Sequence, residues 1–435
     1  MNDKNLKHYR VFSAFFLFAL FFPVFHNYFG SSGAMLVNGG LILGLVFYFL
    51  AFKRLYFNFY DENHKEIFIA VSLIFIFFIL HIALSMLVGA SFGGIDIIQR
   101  DLYEFHRPIL YLLVFALAYT VFSRQGLILK FERLLLFAFF VLVLIGLNQY
   151  FGFYDYLSQL YTKEHNVNSR RVSAPFVNPY DYAFMMSFFI LYFFLKMIYT
   201  CRFFILPLVV ALIMFILPQS RSVAGTFLVG FFIVLPTVLL LLEFNLKKLV
   251  VSKKLFLFLF LMLVVSIIFV ASIPYLLENF HYLTGQFVRL LEGEGIGRSG
   301  NIRLGQFLFA LDKVSNNPLI MFFGNGPAKS ELEYVESIYN YQFYRYGLVG
   351  FLLYFIALIG LGVYFAWRIL KNIGRHHISY PFFLALLVWF LIIPLMSVGN
   401  NFTEQIRLSF FFYSMLGLLA ASYSLTVFHS KRPAE

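Results

Sequence analysis

Unbroken apolar runs of about 20 residues recur from one end of this chain to the other, and each can cross the roughly 30 Å hydrocarbon layer of a bilayer as a helix. They lie near 10–30, 33–52, 67–90, 107–123, 131–151, 181–200, 202–219, 223–243, 255–276, 346–370, 380–399 and 408–428. Such runs exclude an outer-membrane barrel, whose strands show alternating segments of about ten residues. They exclude a soluble domain as well, since only 12% of the 435 residues are charged, about half the usual fraction. The expectation is an all-α polytopic membrane protein with about twelve transmembrane helices. The first run is too long for a signal-peptide core and lacks a small-residue cleavage site, so it is read as a retained helix. One cysteine, Cys201, rules out intramolecular disulfides and zinc clusters.

The basic residues orient these spans. With the N-terminus in the cytoplasm, the cytoplasmic segments hold Lys4, Lys7 and Arg10; Lys53, Arg54 and Lys65; Arg124, Lys130 and Arg133; Lys196 and Arg202; Lys247, Lys248, Lys253 and Lys254; Arg368, Lys371 and Arg375; and Lys431 and Arg432. That is 20 of the 33 basic residues against 7 of the 21 acidic ones, so the net charge of +12 divides into +13 inside and −1 outside. Both termini are therefore expected in the cytoplasm. The excess is spread over short loops facing anionic lipid, which removes nucleic acid as an explanation of the high pI.

Three external stretches are long or charged: 91–106, 152–180 and 277–345. The chain thus divides into 1–276 with helices 1–9, a large external loop at 277–345, and 346–435 with helices 10–12 and a cytoplasmic tail. A loop of that size is more often functional than accidental.

The external arginines stand out. Arg170 and Arg171 precede Asn178-Pro179; Arg221 sits in Gln219-Ser220-Arg221-Ser222 between two very apolar spans; Arg298 and Arg303 lie in the large loop; Arg345 precedes helix 10. One reading is interfacial snorkelling, with the stem in lipid and the guanidinium at the headgroups. The other is convergence on a phosphate or pyrophosphate, which the planar, permanently charged guanidinium fork matches. Arg221 is the basic residue hardest to dismiss, because a charge costs roughly 2.5–3.5 kcal/mol at mid-span and less near the ends.

A second candidate is the stretch from Tyr334 to Gly347. If it is helical, Glu336, Tyr339, Asn340 and Phe343 share one face through i, i+3, i+4, i+7 spacing. That would present a carboxylate able to act as a general base, with a phenol beside it. The alternative is an aromatic interfacial belt with ordinary polar neighbours. Two glycine-rich stretches carry no nucleotide site: Gly295-Ile296-Gly297-Arg298-Ser299-Gly300 follows no strand, and Gly324-Asn325-Gly326-Pro327-Ala328-Lys329-Ser330 lacks the Gly-Lys adjacency. No spacing suggests a metal site, with Asp96 and Asp101 a weak exception.

Taken together, these motifs resemble the O-antigen polymerase and O-antigen ligase superfamily of bacterial envelope glycan assembly. Four features carry the likeness: an arginine-containing stretch ending in Asn178-Pro179; Ser220-Arg221 at the head of a helix; one large loop holding Asn301-Ile302-Arg303 and then Asn317-Pro318-Leu319 through Gly324-Asn325-Gly326; and Glu336-x-x-Tyr339 followed by Tyr346-Gly347-Leu348-Val349-Gly350. They cover roughly 170–350. Ligases usually carry a His-Asn pair where this chain has Glu336-Ser337, which favours a polymerase.

The resemblance implies a metal-independent glycosyltransferase with no cofactor, in the bacterial inner membrane, with the large loop periplasmic. The donor would be a glycan on undecaprenyl pyrophosphate. The acceptor would be a sugar hydroxyl of the next lipid-linked repeat unit. Arg171 and Arg221 would form the main pyrophosphate clamp, helped by Arg170, Arg303 and Arg345. Glu336 would be the base or would orient the acceptor, with Tyr339 beside it. Apolar helix faces would hold the isoprenoid tail, and a chain-length regulator and a flippase are the implied partners. The rivals are a ligase that moves the finished glycan to lipid A–core, and a transporter of lipid-linked glycans. The transporter reading suffers because no internal repeat is evident and most charges sit at the rim rather than at mid-membrane.

Overall fold

A computed structural model describes residues 3–51, 62–124, 126–200, 202–243, 253–279, 284–285, 297–402 and 404–431. The described residues contain helices and no strand. The main helices are α1 (Asp3–Phe21), α2 (Ser31–Ala51), α3 (Glu62–Phe92), α4 (His106–Phe122), α5 (Ile128–Phe151), α6 (Pro179–Tyr199) and α7 (Ile205–Ile216). Next, α8 runs Arg221–Val229, through a π-helical turn at Gly230–Val234, into Leu235–Glu243. They are followed by α9 (Lys253–Asn279), α10 (Gly297–Ser315) and α11, which runs Ile338–Leu352, through a π-helical turn at Leu353–Ile359, into Gly360–Asn372. The chain ends with α12 (Tyr380–Met396) and α13 (Ile406–Lys431).

A helix falls on each expected apolar run, and among the described residues seven helices are long and apolar enough to cross a membrane. The chain is a multi-pass, all-helical membrane protein. Lys53, Arg54, Cys201, Lys247, Lys248 and Arg432 lie outside the described residues, as do Gly295 and Ile296 and the side chain of Arg298.

Burial sorts the helices into two groups. In α6 and the apolar part of α13, 89% of positions are buried inside the protein, against 28% in α2 and α3. The two buried helices are the centre, where α13 packs on α4 and α6 packs on α7 and α12. Phe184, Phe188, Trp389 and Phe411 interlock there, with Phe184 stacked on Phe402 at 4.2 Å. The outward faces of α2 and α3 carry exposed Leu43, Phe47, Leu50, Leu80 and Leu87. Water would oppose that exposure, whereas lipid accepts it. At one end of the bundle the buried Lys196 pairs with Glu132 at 2.5 Å and donates to the Ile378 carbonyl.

Helix starts follow local chemistry. Asn178 and Asn317 each precede a proline that opens a helix. Proline suits that first position because its missing N–H would lack an intrahelical partner anyway. The Asn317 side chain also accepts from the Leu319 amide, the usual asparagine cap.

The large loop is not an independent unit. It holds α10 and the short helix Pro318–Phe323, and it closes a small core of Ala310, Val314, Ile320, Ala328 and Tyr344 against Val88 and Ile95 at the end of α3. Two glycines make this docking possible. Gly324 (φ +83°) and Gly347 (φ +61°) meet backbone to backbone, and a Cβ on Gly347 would lie 2.6 Å from the Gly324 nitrogen. Both torsions are disfavoured for other residues. The expected start of a helix at 346 is therefore a kink inside α11, which begins eight residues earlier at Ile338.

Candidate functional site

Five segments remote in sequence meet at one end of the bundle. The Arg171 Nε donates to the Pro218 carbonyl at 2.9 Å, joining the loop before α6 to the turn between α7 and α8. In that turn Gln219 is left-handed (φ +52°), and Arg221 is the first residue of α8. A helix start carries partial positive charge, so a cation here adds to a field already suited to anions. Ser222 then packs against Gly399 so closely that a Cβ on Gly399 would sit 2.5 Å from the Ser222 Cβ and 4.0 Å from the Arg303 Cζ. Arg303, on α10, approaches Glu336 with Nε and Oε2 2.9 Å apart. The contact is an ion pair without hydrogen-bond alignment. Tyr180, just after Asn178-Pro179, lies close to the Asn400 side chain and within the electrostatic reach of Glu336 and Arg303.

Glu336 and Tyr339 do not share a helix face. Ser337 is extended and precedes the first turn of α11, so Glu336 lies before the helix. The Ile338 amide donates to the Ser397 carbonyl, tying this start to the turn that carries Gly399 and Asn400. Tyr339 points elsewhere: its hydroxyl donates to the Pro394 carbonyl at 3.0 Å, and its ring stacks on Phe355 at 4.7 Å. Asn340 donates to the Arg303 carbonyl at 3.4 Å.

Two candidate arginines are committed to protein partners. Arg170 pairs through both terminal nitrogens with Asp155, and its guanidinium lies against Gly152, where a side chain would collide with it. It braces the loop between α5 and α6. Arg345 is buried, donates to the Leu332 and Glu333 carbonyls, and lies 4.6 Å from the centre of the Tyr341 ring.

Arg345 belongs to a second, closed polar cluster. Glu104 pairs with Lys329 at 2.5 Å and with Arg107 at 2.9 Å, and it accepts from the Tyr341 hydroxyl at 3.2 Å. Arg107 also donates to Tyr341 and lies 3.7 Å from Glu404, which accepts from Tyr111 at 2.8 Å. Burial raises the Glu404 carboxyl above its ordinary value, with Arg107 pulling the other way. Burial lowers the Lys329 ammonium, which Glu104 restores in part. Asp101 is also occupied, accepting from the Ile98 and Lys329 amides. The neighbouring Arg407 is buried and spends its guanidinium on the carbonyls of Ala19, Leu20, Phe22 and Pro175.

Sequence reasoning did not single out Tyr180, Ser222, Gly399, Asn400 or Asn401. The visible signal was Gly399-Asn400-Asn401, three polar or small residues immediately after a long apolar run. No protein-family model matches the chain, and no curated protein matches it significantly.

Proposed function

We propose that this protein is a surface-polysaccharide polymerase of the O-antigen type. It transfers a growing glycan from undecaprenyl pyrophosphate to a sugar hydroxyl of the next lipid-linked repeat unit. In this reading the chain crosses the bacterial inner membrane twelve times with both termini in the cytoplasm, and the site opens on the periplasmic face. The observation that carries the proposal is that the loop bearing Arg171, the turn bearing Arg221 and the Arg303–Glu336 pair, four separate stretches, come together at one end of the bundle.

In the reaction, the acceptor oxygen bonds to the anomeric carbon while the bond from that carbon to the pyrophosphate oxygen breaks. Glu336 takes the acceptor proton. The electron pair leaves on the pyrophosphate, where Arg171 and Arg221 stabilise the growing charge. Arg303 holds the Glu336 side chain in place beside the acceptor. In this reading Arg170 and Arg345 brace the site rather than bind the pyrophosphate, since Arg170 spends both terminal nitrogens on Asp155 and Arg345 is buried. Tyr339 takes no part, because its hydroxyl is occupied.

The test is a gel profile of surface polysaccharide from cells carrying Arg221→Ala in place of the wild-type gene. Loss of the long ladder, with single repeat units still on the core and normal amounts of protein in the membrane, supports the polymerase. Bare core with lipid-linked polymer accumulating behind it replaces that reading with the ligase. A normal ladder removes Arg221 from the mechanism.

A further inference from the structure

The turn between α12 and α13 carries an unassigned feature. Asn400 and Asn401 are 5% and 6% exposed, yet the Asn400 Nδ2 and the Asn401 Oδ1 have no hydrogen-bond partner among the described residues. Leaving a buried amide group unpaired costs about 1–3 kcal/mol. Such groups persist where a ligand or an ordered water completes them. One is a donor and the other an acceptor, and both are neutral. A pyrophosphate asks only for donors, so this pair does not suit it. A sugar hydroxyl both donates and accepts, so it suits them both.

The location agrees. The Asn400 side chain lies close to Tyr180, which feels the charges of Glu336 and Arg303. The Tyr180 ring itself is anchored edge-on against Phe402 at 6.2 Å. Gly399, one residue earlier, lies against Ser222 and near Arg303. The neutral amides therefore adjoin the ion pair, on the side of the turn that follows α12.

We infer that Asn400, Asn401 and Tyr180 form a binding subsite for sugar hydroxyls, next to the charged groups that handle the pyrophosphate. The inference rests on the reading of the site as a glycan transferase and divides that site into two halves. The arginine half recognises phosphate, and the amide half recognises carbohydrate.

Two probes separate the halves, used with the full-length protein in detergent. One is undecaprenyl pyrophosphate. The other is the oligosaccharide released by mild acid from the host cell's own lipid-linked glycan. Asn400→Ala is expected to weaken oligosaccharide binding about tenfold, the loss of one good hydrogen bond, and to leave undecaprenyl pyrophosphate binding unchanged. Tyr180→Phe should weaken the oligosaccharide in the same direction, and it guards against a folding defect specific to Asn400→Ala. The subsite is overturned if both variants bind the oligosaccharide like the wild type, which would leave the amides to an ordered water. It is overturned equally if either variant loses both probes while keeping its elution profile and thermal stability. Wild-type protein that binds the oligosaccharide but not undecaprenyl pyrophosphate would keep the subsite and sink the polymerase reading. Binding of undecaprenyl pyrophosphate alone would do the reverse.

Discussion

Two polar clusters at the same end of the bundle make opposite use of charge. Around Glu104, charges are locked to one another: Lys329, Arg107 and Tyr341 surround one carboxylate, and Tyr111 and Arg107 hold Glu404. Around Arg303 and Glu336 the ion pair is half-exposed and poorly aligned, and the neighbouring amides are unpaired. The first arrangement joins the large loop to α4 and to the turn before α13. The second leaves hydrogen-bonding capacity to be used. The comparison teaches that an arginine in a membrane protein is informative only with its partners: Arg345 and Arg303 look alike in sequence and sit in different clusters.

The comparison breaks most easily at Glu104. Glu104→Ala strands the buried Arg345 and the part-buried Arg107 and Lys329 without their main counter-charge. Removing one partner of a buried pair costs about 3–5 kcal/mol. We expect little folded protein in the membrane, seen as aggregation in detergent size-exclusion chromatography. A stable, monodisperse variant would show that the cluster does not hold the loop. Glu336→Gln should do the opposite. It keeps the shape and the fold but removes the proposed general base, which should lower polymerisation about 10²-fold in a membrane assay with lipid-linked repeat units. Unchanged turnover would exclude Glu336 as the base.

Smaller effects sharpen the contrast within the closed cluster. Glu404→Gln should cost only about 1 kcal/mol, because burial already favours the neutral carboxyl. The sign follows from that direction. An acid whose value is raised on folding binds its proton more tightly in the native state, so its contribution is present at low pH and is lost as pH rises through the native value. Thermal melts should therefore show the wild type losing stability relative to Glu404→Gln as pH rises from acid towards neutral. Parallel curves would mean that Glu404 titrates alike in both states. The smallest effect is expected for Tyr339→Phe. It deletes one hydrogen bond to the Pro394 carbonyl, about 1 kcal/mol, and polymer length and turnover should remain near wild type. A dead but folded variant would restore Tyr339 to the chemistry.

Much of the fold was legible because it depends on neighbouring residues. A 20-residue apolar run reads as a spanning helix wherever it occurs. Asn178-Pro179 and Asn317-Pro318 mark helix starts by local backbone chemistry. The boundaries that failed had tertiary causes. α11 begins at Ile338 rather than at 346 because the Ile338 amide is drawn to the Ser397 carbonyl and the kink at Gly347 is stabilised by close contact with Gly324.

By itself, the sequence determined that this protein lives in a membrane as a helical bundle, and it marked Arg170, Arg171, Arg221, Arg303 and Arg345 as charges in need of partners. Only the tertiary structure decided which of those residues act together. It brought Ser222 to Gly399 and Arg303 to Glu336, gave Arg170 to Asp155, and placed Arg345 with Glu104. It also placed Tyr180 beside Asn400, a pairing no spacing in the chain could announce. The physical reason is range. Helix formation and membrane insertion sum over adjacent residues, whereas the partner of a charge or an amide is set by contacts between segments hundreds of positions apart, as for Tyr111 and Glu404.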